Sequence, residues 1–352
     1  MAPNRGGRAR RRLDDRCLGL VSLLLAAPVL GCGAAAAGTS ARPPAQAVVT
    51  DPGGRPPAPS TAARPGAGTI ARASPGARAA GGSGAATISA IPKYPVLGGF
   101  GFPGPTWRAV VSIRGRTAAW ISQREGVTLL RFDQRWVRLA LHAGSVDPGR
   151  GSWRYGNAIT GRERRHLVAA FNGGFRLKSH TGGWESYGRI AVPLTAGLAS
   201  IVTYRNGTTD IGAWHRGVPD GRPVASVRQN LHLLVDGGVA ASNLVSCLKA
   251  CWGATLGGRD SVARAGLGID AGNDLIWAGA FTATPSTLAR AMVGAGVVRA
   301  AELDINPAWV AGYLYHHGHG PIRAVPVVPG QFGIPGRFLA PYTRDFFAVI
   351  GR

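Results

Sequence analysis

Between Arg264 and Asp304 the chain runs RAGLGIDAGNDLIWAGAFTATPSTLARAMVGAGVVRAAELD, and this stretch narrows the fold more than any other. Residues 264–270 and 274–280 are apolar runs of strand length, joined through Ala271-Gly272-Asn273. Thr284 can cap a helix, Pro285 suits its first position and Gly296 suits its end. Leu288, Ala291, Met292 and Ala295 recur at helical spacing on one face. Residues 297–304 then form another run without alternation, the pattern of a parallel strand buried on both faces. A right-handed crossover would set Asp304 at the carboxyl end of that strand, where open α/β sheets place their sites. The expected fold class is α+β, a mixed sheet with flanking helices in a single domain.

Upstream, residues 107–113, 117–122 and 126–132 are short β-rich segments separated by Gly- or Arg-containing turns, a meander. A short polar helix is expected from Thr160, leading into a strand that reaches Asn172. Residues 198–204 and 209–214 flank Arg205-Asn206-Gly207-Thr208, a strong hairpin signal, and residues 231–238 read as a strand with a turn.

The first forty residues have the order of an export signal. Arg5, Arg8, Arg10, Arg11, Arg12 and Arg16 precede an apolar run over 17–30, and small residues follow. Three outcomes stay open for residues 1–38. Residues 29–32, VLGC, resemble a lipoprotein box that would lipidate Cys32; the alanines at 34–37 suit ordinary signal peptidase; uncleaved, the segment 17–38 is just long enough to span a bilayer. Residues 39–91 are Ala, Gly, Pro, Ser and Thr with scattered Arg, too poor in apolar pattern to offset ordering entropy, and read as a disordered tether. The folded domain is therefore expected over 92–352, in an extracytoplasmic protein that is secreted, lipid-anchored or membrane-tethered.

A net charge of +23 invites a nucleic-acid reading, but eleven arginines fall in the first 91 residues and the rest are scattered. Nucleic acid is not expected as a partner; anionic envelope polymers or phosphate-bearing glycans are. Cys247 and Cys251 lie four apart with no further ligand nearby, so in an exported chain they read as a short disulfide rather than free thiols.

Four blocks in order resemble the phosphodiester glycosidase family, that of the uncovering enzyme, which removes N-acetylglucosamine from mannose-6-phosphate diesters and whose bacterial members are often labelled exopolysaccharide-related. They are Asn172-Gly173-Gly174-Phe175, residues 264–270, the helix around 286–292, and the strand ending at Asp304. The chain departs from the family in two places. Ala265 and Gly266 follow Arg264 where the family has Ser/Thr and Ala, and Ile305-Asn306-Pro307-Ala308 replaces a Gly-Gly-Gly-Ser turn. The resemblance implies Asp304 as the carboxylate, Arg264 as a forked donor to phosphate, and Asn172 with Gly173 and Gly174 holding a sugar hydroxyl or phosphate oxygen.

Each of these residues also has a plainer reading: a cap for Asp304, a salt bridge for Arg264, a tight turn for Asn-Gly-Gly. His180 and Glu185 are candidate acid or base groups, or parts of a loop without chemistry. Trp184 and Tyr187 can stack on a sugar or sit in a core, and Asn306 is a candidate substrate contact. His316, His317 and His319 suggest a metal, yet adjacent histidines on an extended segment point to opposite faces, which favours a solvated loop. No cofactor is read from the sequence, and a divalent cation stays open. The expected function is an exported hydrolase of a sugar-1-phosphodiester or related envelope glycan linkage; the alternative is a non-catalytic glycan- or anionic-polymer-binding protein on the same fold.

Overall fold

The computed structural model describes residues 104–352. The export segment with Cys32, the tether and the first residues of the expected domain lie outside the described residues.

The chain enters as the expected meander, β1 (Arg108–Ile113), β2 (Arg116–Arg124) and β3 (Val127–Phe132), turning at Arg114-Gly115 and Glu125-Gly126, all at positive φ. β4 (Val137–His142) follows, then α1 (Gly161–Arg165) leading directly into β5 (Leu167–Asn172). Two hairpins come next: β6 (Trp184–Ser186) with β7 (Arg189–Val192), and β8 (Ala199–Tyr204) with β9 (Thr209–Ala213). β10 (Val224–Gln229), β11 (Leu233–Asp236) and β12 (Val239–Ala240) precede α2 (Leu248–Trp252). β13 (Val262–Asp270) and β14 (Leu275–Ala283) pair, and α3 (Pro285–Gly294) carries the chain to β15 (Val297–Glu302). The last strands are β16 (Gly312–His316), β17 (Arg323–Pro326) and β18 (Phe346–Gly351).

These strands form three sheets, in the orders β1-β2-β3-β14-β13-β15-β11-β12, β7-β6-β10-β8-β9 and β17-β16-β5-β18-β4. All pairings between the named strands are antiparallel. This corrects the expected α+β class with a mixed sheet and flanking helices. The fold is mostly β, and α1 and α2 are five-residue helices beside the ten-residue α3.

The source of the error is physical. β14 and β15 do run the same way and α3 does cross between them, but β13 lies between the two and pairs antiparallel with both. The unbroken apolar runs came from cover on both faces, not from strand direction. On one face Leu288, Ala289, Ala291 and Met292 of α3 pack with Ile276, Ala278, Val127 and Leu129. On the other, Leu267, Ile269 and Trp277 join Phe132, Leu139, Phe171, Ile201 and Phe347 from all three sheets. β18 is likewise covered twice, with Phe347 and Val349 in that central core and Phe346, Ala348 and Ile350 in a cluster beneath the third sheet. The helix signals hold: Thr284 accepts from the Thr287 backbone N–H, and Pro285 occupies the first turn.

The central joint is Trp277, with no exposed surface and its ring 5.6 Å from that of Phe171. The ring lies against Gly312, where a Cβ would come within 2.5 Å of it. Gly312→Ala should therefore force the ring or β16 to move, at a cost of roughly 1–3 kcal/mol. A chemical-denaturation midpoint equal to that of the native chain would disprove this account of the joint.

Candidate functional site

Strand ends from all three sheets converge in one place. β5 finishes at Asn172, paired with Phe346 at the start of β18, so Arg344 and Asp345 stand beside Gly173 and Gly174. β10 brings Arg228 with Asn230 just beyond it, and β15 brings Glu302 with Asp304 two residues on. The Ala265 backbone N–H donates to Asp304 O at 3.0 Å and that of Leu303 to Ala265 O at 2.7 Å, so the ladder with β13 continues past the strand and holds Asp304 at its tip.

Three guanidiniums and four carboxylates are buried together there. Arg264 meets Glu302 at 2.6 Å, Arg228 meets Asp345 at 2.6 Å, and Arg344 meets Asp147 at 3.1 Å and Asp304 at 3.2 Å. Arg344 Nη2 also donates to Gly174 O at 2.9 Å, so one guanidinium ties the Asn-Gly-Gly segment to Asp304. Asn230 adds a second tie. Its amide donates to the carbonyls of Glu302 and Leu303, while its Oδ1 accepts from the Phe175 backbone N–H at 3.1 Å. Half-buried Trp309 roofs the cluster, with Arg344 5.0 Å from its ring centre and exposed Arg176 5.9 Å away.

The electrostatics follow from burial and from the surplus carboxylate. Burial pushes Glu302 up to about 7, with Arg264 pulling it back and Asp304 adding to the rise. Burial also pushes Asp304 up to about 6, against Arg344 and the backbone N–H groups of Asn306 and Ile305. Asp345 rises for the same first reason, opposed by Arg228. Among the described residues, Glu302 Oε2 and Asp345 Oδ1 are buried and accept no hydrogen bond. The cluster thus keeps a proton near neutrality, and Asp304 titrates in the range where general acid or base chemistry works.

Of the residues expected from sequence, the cluster gathers Asp304, Asn172, Gly173, Gly174, Arg264 and Asn306. Asp304 Oδ1 accepts from Ile305 and Asn306 N–H at 2.7 and 2.9 Å, and Asn306 Oδ1 accepts from Ala308 N–H, so this turn caps itself. The Asn172 amide donates to Gly173 O and accepts from the Ala311 N–H. Arg264 is 1 % exposed and spends its donors on Glu302 and on the carbonyls of Ala283, Trp252 and Asp260. A Cβ on Gly173 would meet the Asp345 carboxyl at 2.6 Å, and one on Gly174 the Arg228 guanidinium at 2.8 Å.

His180 stands exposed at the end of a 3-10 turn, Leu177–Ser179, and Glu185 is half-buried on β6; neither side chain bonds the cluster among the described residues. Trp184 is wholly buried, edge-on to Trp153 at 4.7 Å. Cys247 and Cys251 form the expected disulfide. His316, His317 and His319 are exposed, with His317 Nε2 2.7 Å from Leu167 O. No group of three or more His, Cys, Asp or Glu that could hold a metal ion occurs among the described residues.

Sequence reasoning missed Arg228, Asn230, Glu302, Arg344, Asp345 and Trp309. The available signal was charge inside otherwise apolar strands, in VVRAAE of β15 and VASVRQ of β10.

No family model matches the chain, and no curated protein matches it. Among solved structures it is similar to the zebrafish N-acetylglucosamine-1-phosphodiester alpha-N-acetylglucosaminidase catalytic domain, auto-inhibited by its pro-peptide, at 16 % identity over 70 % of this chain and 82 % of that one, TM-score 0.43. A hypothetical protein from Synechocystis aligns at 12 % identity over 71 % of this chain and 62 % of that one, TM-score 0.36. An exported-protein candidate from Burkholderia pseudomallei aligns at 13 % identity over 67 % and 75 %, TM-score 0.29. At these scores none of the likenesses assigns the chain to a family.

The raised carboxyls set the sign of the pH response. A carboxyl that binds its proton more tightly when folded loses stability as pH rises between its unfolded and folded values. For Asp304 that window runs from its ordinary 3.8 to about 6, and for Glu302 from 4.5 to about 7. Buried His142, held down to about 4, acts in the opposite sense over the same range, so the readout is the difference between chains: from pH 4 to 6 the denaturation midpoint of Asp304→Asn should lose less than that of the native chain. An unchanged slope in the variant would show that Asp304 titrates as an ordinary carboxyl.

Proposed function

We propose that the chain is an exported hydrolase of a sugar phosphodiester or related envelope glycan linkage, with Asp304 as the working carboxylate. The observation that supports this most is Arg344, whose single Nη2 reaches both Gly174 O and Asp304 Oδ2. Two of the sequence blocks that resemble phosphodiester glycosidases are thereby brought together at one guanidinium.

The chemistry is compatible with such a sparse site. A phosphate ester departs from a sugar carbon without strong acid help, so the main needs are an activated water and stabilisation of an oxocarbenium-like centre. Asp304 as the carboxylate would serve either need, and Arg344 beside it would favour its charged form. Arg176 at the rim offers forked donors that suit a phosphate, a role Arg264 leaves open by turning inward. The disulfide fits an oxidising compartment, and no helix among the described residues is long and apolar enough to cross a membrane.

One observation favours the alternative of binding without turnover. Asp304 is only 4 % exposed, and both of its oxygens already have partners in the chain.

The test incubates the full chain with a panel of sugar-1-phosphodiesters and measures released reducing sugar. Release is expected to rise with pH through about 6, the value to which Asp304 is pushed. Asp304→Asn should lower it about 10²- to 10⁴-fold, the usual weight of a proton-transfer group. Release that survives the substitution removes Asp304 from the chemistry. Binding of anionic glycans with no release from any panel member supports the binding protein instead.

A further inference from the structure

A second cleft, apart from the Asp304 cluster, has no role in that reading. It measures about 290 Å³ and lies where the edge strand β4 meets β8, β10 and the turns at their ends. Arg138, Arg154 and Arg205 line it together with Tyr155, Tyr187 and Tyr204, and no carboxylate is among its lining residues.

A larger cleft of about 740 Å³ shows what the contrast means. It takes in Thr208 of the Arg205-Asn206-Gly207-Thr208 turn and also carries arginines, but it is lined by Asp133, Asp210 and Asp274 as well. Those acids are already matched, by Arg135, Arg299 and Arg131 respectively. In the smaller cleft the three arginines make no ion pair among the described residues. They rest on aromatic faces instead: Arg138 and Arg154 lie 5.9 and 5.8 Å from the Tyr155 ring centre, and Arg154 and Arg205 lie 5.7 and 5.3 Å from that of Tyr187. Glu163 feels the charge of Arg138 and Arg154 but makes no ion pair with either, and it faces His142 at 3.7 Å.

Three like charges held together around one hollow repel each other until an anion enters. The tyrosines make the arrangement rigid. Tyr155 and Tyr187 meet edge-on at 6.2 Å, Arg138 donates to the Tyr155 hydroxyl, and the Tyr187 backbone N–H donates to Ala225 O at 2.6 Å. Thr203 and Ser226 also line the hollow and add hydroxyls that suit those of a pyranose. At this volume, near the lower end of the roughly 300–1,000 Å³ usual for ligand sites, one sugar ring with its phosphate is a fitting occupant and a duplex is not.

We propose that this cleft is a binding site for a phosphate-bearing sugar unit of an anionic glycan, distinct from the site at Asp304. It does not depend on the chain being a hydrolase. In a phosphodiester-linked polymer it would hold one unit while another lies elsewhere on the protein.

Calorimetric titration of the full chain tests it, with α-D-glucose 1-phosphate, inorganic phosphate, glucose and a short oligothymidylate as probes. Glucose 1-phosphate should bind saturably and more tightly than phosphate, with glucose alone showing no binding. Arg154→Gln combined with Arg205→Gln should weaken binding at least tenfold. Both positions are exposed, and an unchanged thermal midpoint will show that the fold is intact. Arg154→Lys with Arg205→Lys should restore part of the affinity, and Asp304→Asn should bind as the native chain does.

Absence of saturable binding at millimolar concentration would overturn the proposal. So would binding that ignores the paired arginine substitutions but disappears in Asp304→Asn, since the ligand would then sit at the other cluster. Tighter binding of oligothymidylate than of glucose 1-phosphate would replace the glycan with a single-stranded nucleic acid.

Discussion

A guanidinium taken out of water needs partners, and Arg344 draws them from four separate segments. Its partners are Asp147 after β4, Gly174 after β5, Asp304 after β15, and the face of Trp309. The apolar core reaches these strand ends, with Phe171 beside Asn172 and Leu303 beside Asp304, and the charges fix how the ends meet. Buried ion pairs of this kind seldom make a fold more stable than a well-packed apolar substitute would. Their value is specificity of arrangement. Here burial raises the proton affinity of Asp304 and Glu302, and the one carboxylate in excess of the guanidiniums adds a little to it.

Much of the local structure was legible because it depends on near neighbours. The meander of β1 to β3, the β8–β9 hairpin around Asn206-Gly207, and α3 with its Thr284 cap and Pro285 all rest on spacings of a few residues. Strand direction was not legible. The runs in β13, β14 and β15 look alike whether a neighbour runs parallel or antiparallel, since burial on both faces erases the alternation. The pairing of Arg228 with Asp345 spans 117 residues, so no spacing rule could propose it. Glu302 did leave a trace, a lone acid in an apolar strand, but only the distant Arg264 explains why it is tolerated.

The Asn-Gly-Gly at the end of β5 shows how one local pattern admits several causes. Such glycines permit a hairpin or the close approach of a ligand. In this fold they admit the protein's own side chains, with the Asp345 carboxyl lying over Gly173 and the Arg228 guanidinium over Gly174. Trp184 makes the same point for aromatics. Its neighbours, Gly182-Gly183 and Glu185, suggest a rim, while the ring itself is sealed against Trp153.

The short helix that the disulfide closes bears on the cluster through one atom. Trp252 O, one residue past Cys251, accepts from Arg264 Nη1. A five-residue helix has too few internal hydrogen bonds to hold itself, so the sulfur bond and the buried Trp252 ring fix where that carbonyl stands. One of the four partners of Arg264 therefore stands on a covalent loop of five residues. A chain kept among reducing thiols would lose that restraint on the carbonyl, while the buried Trp252 ring and the other three partners of Arg264 would remain.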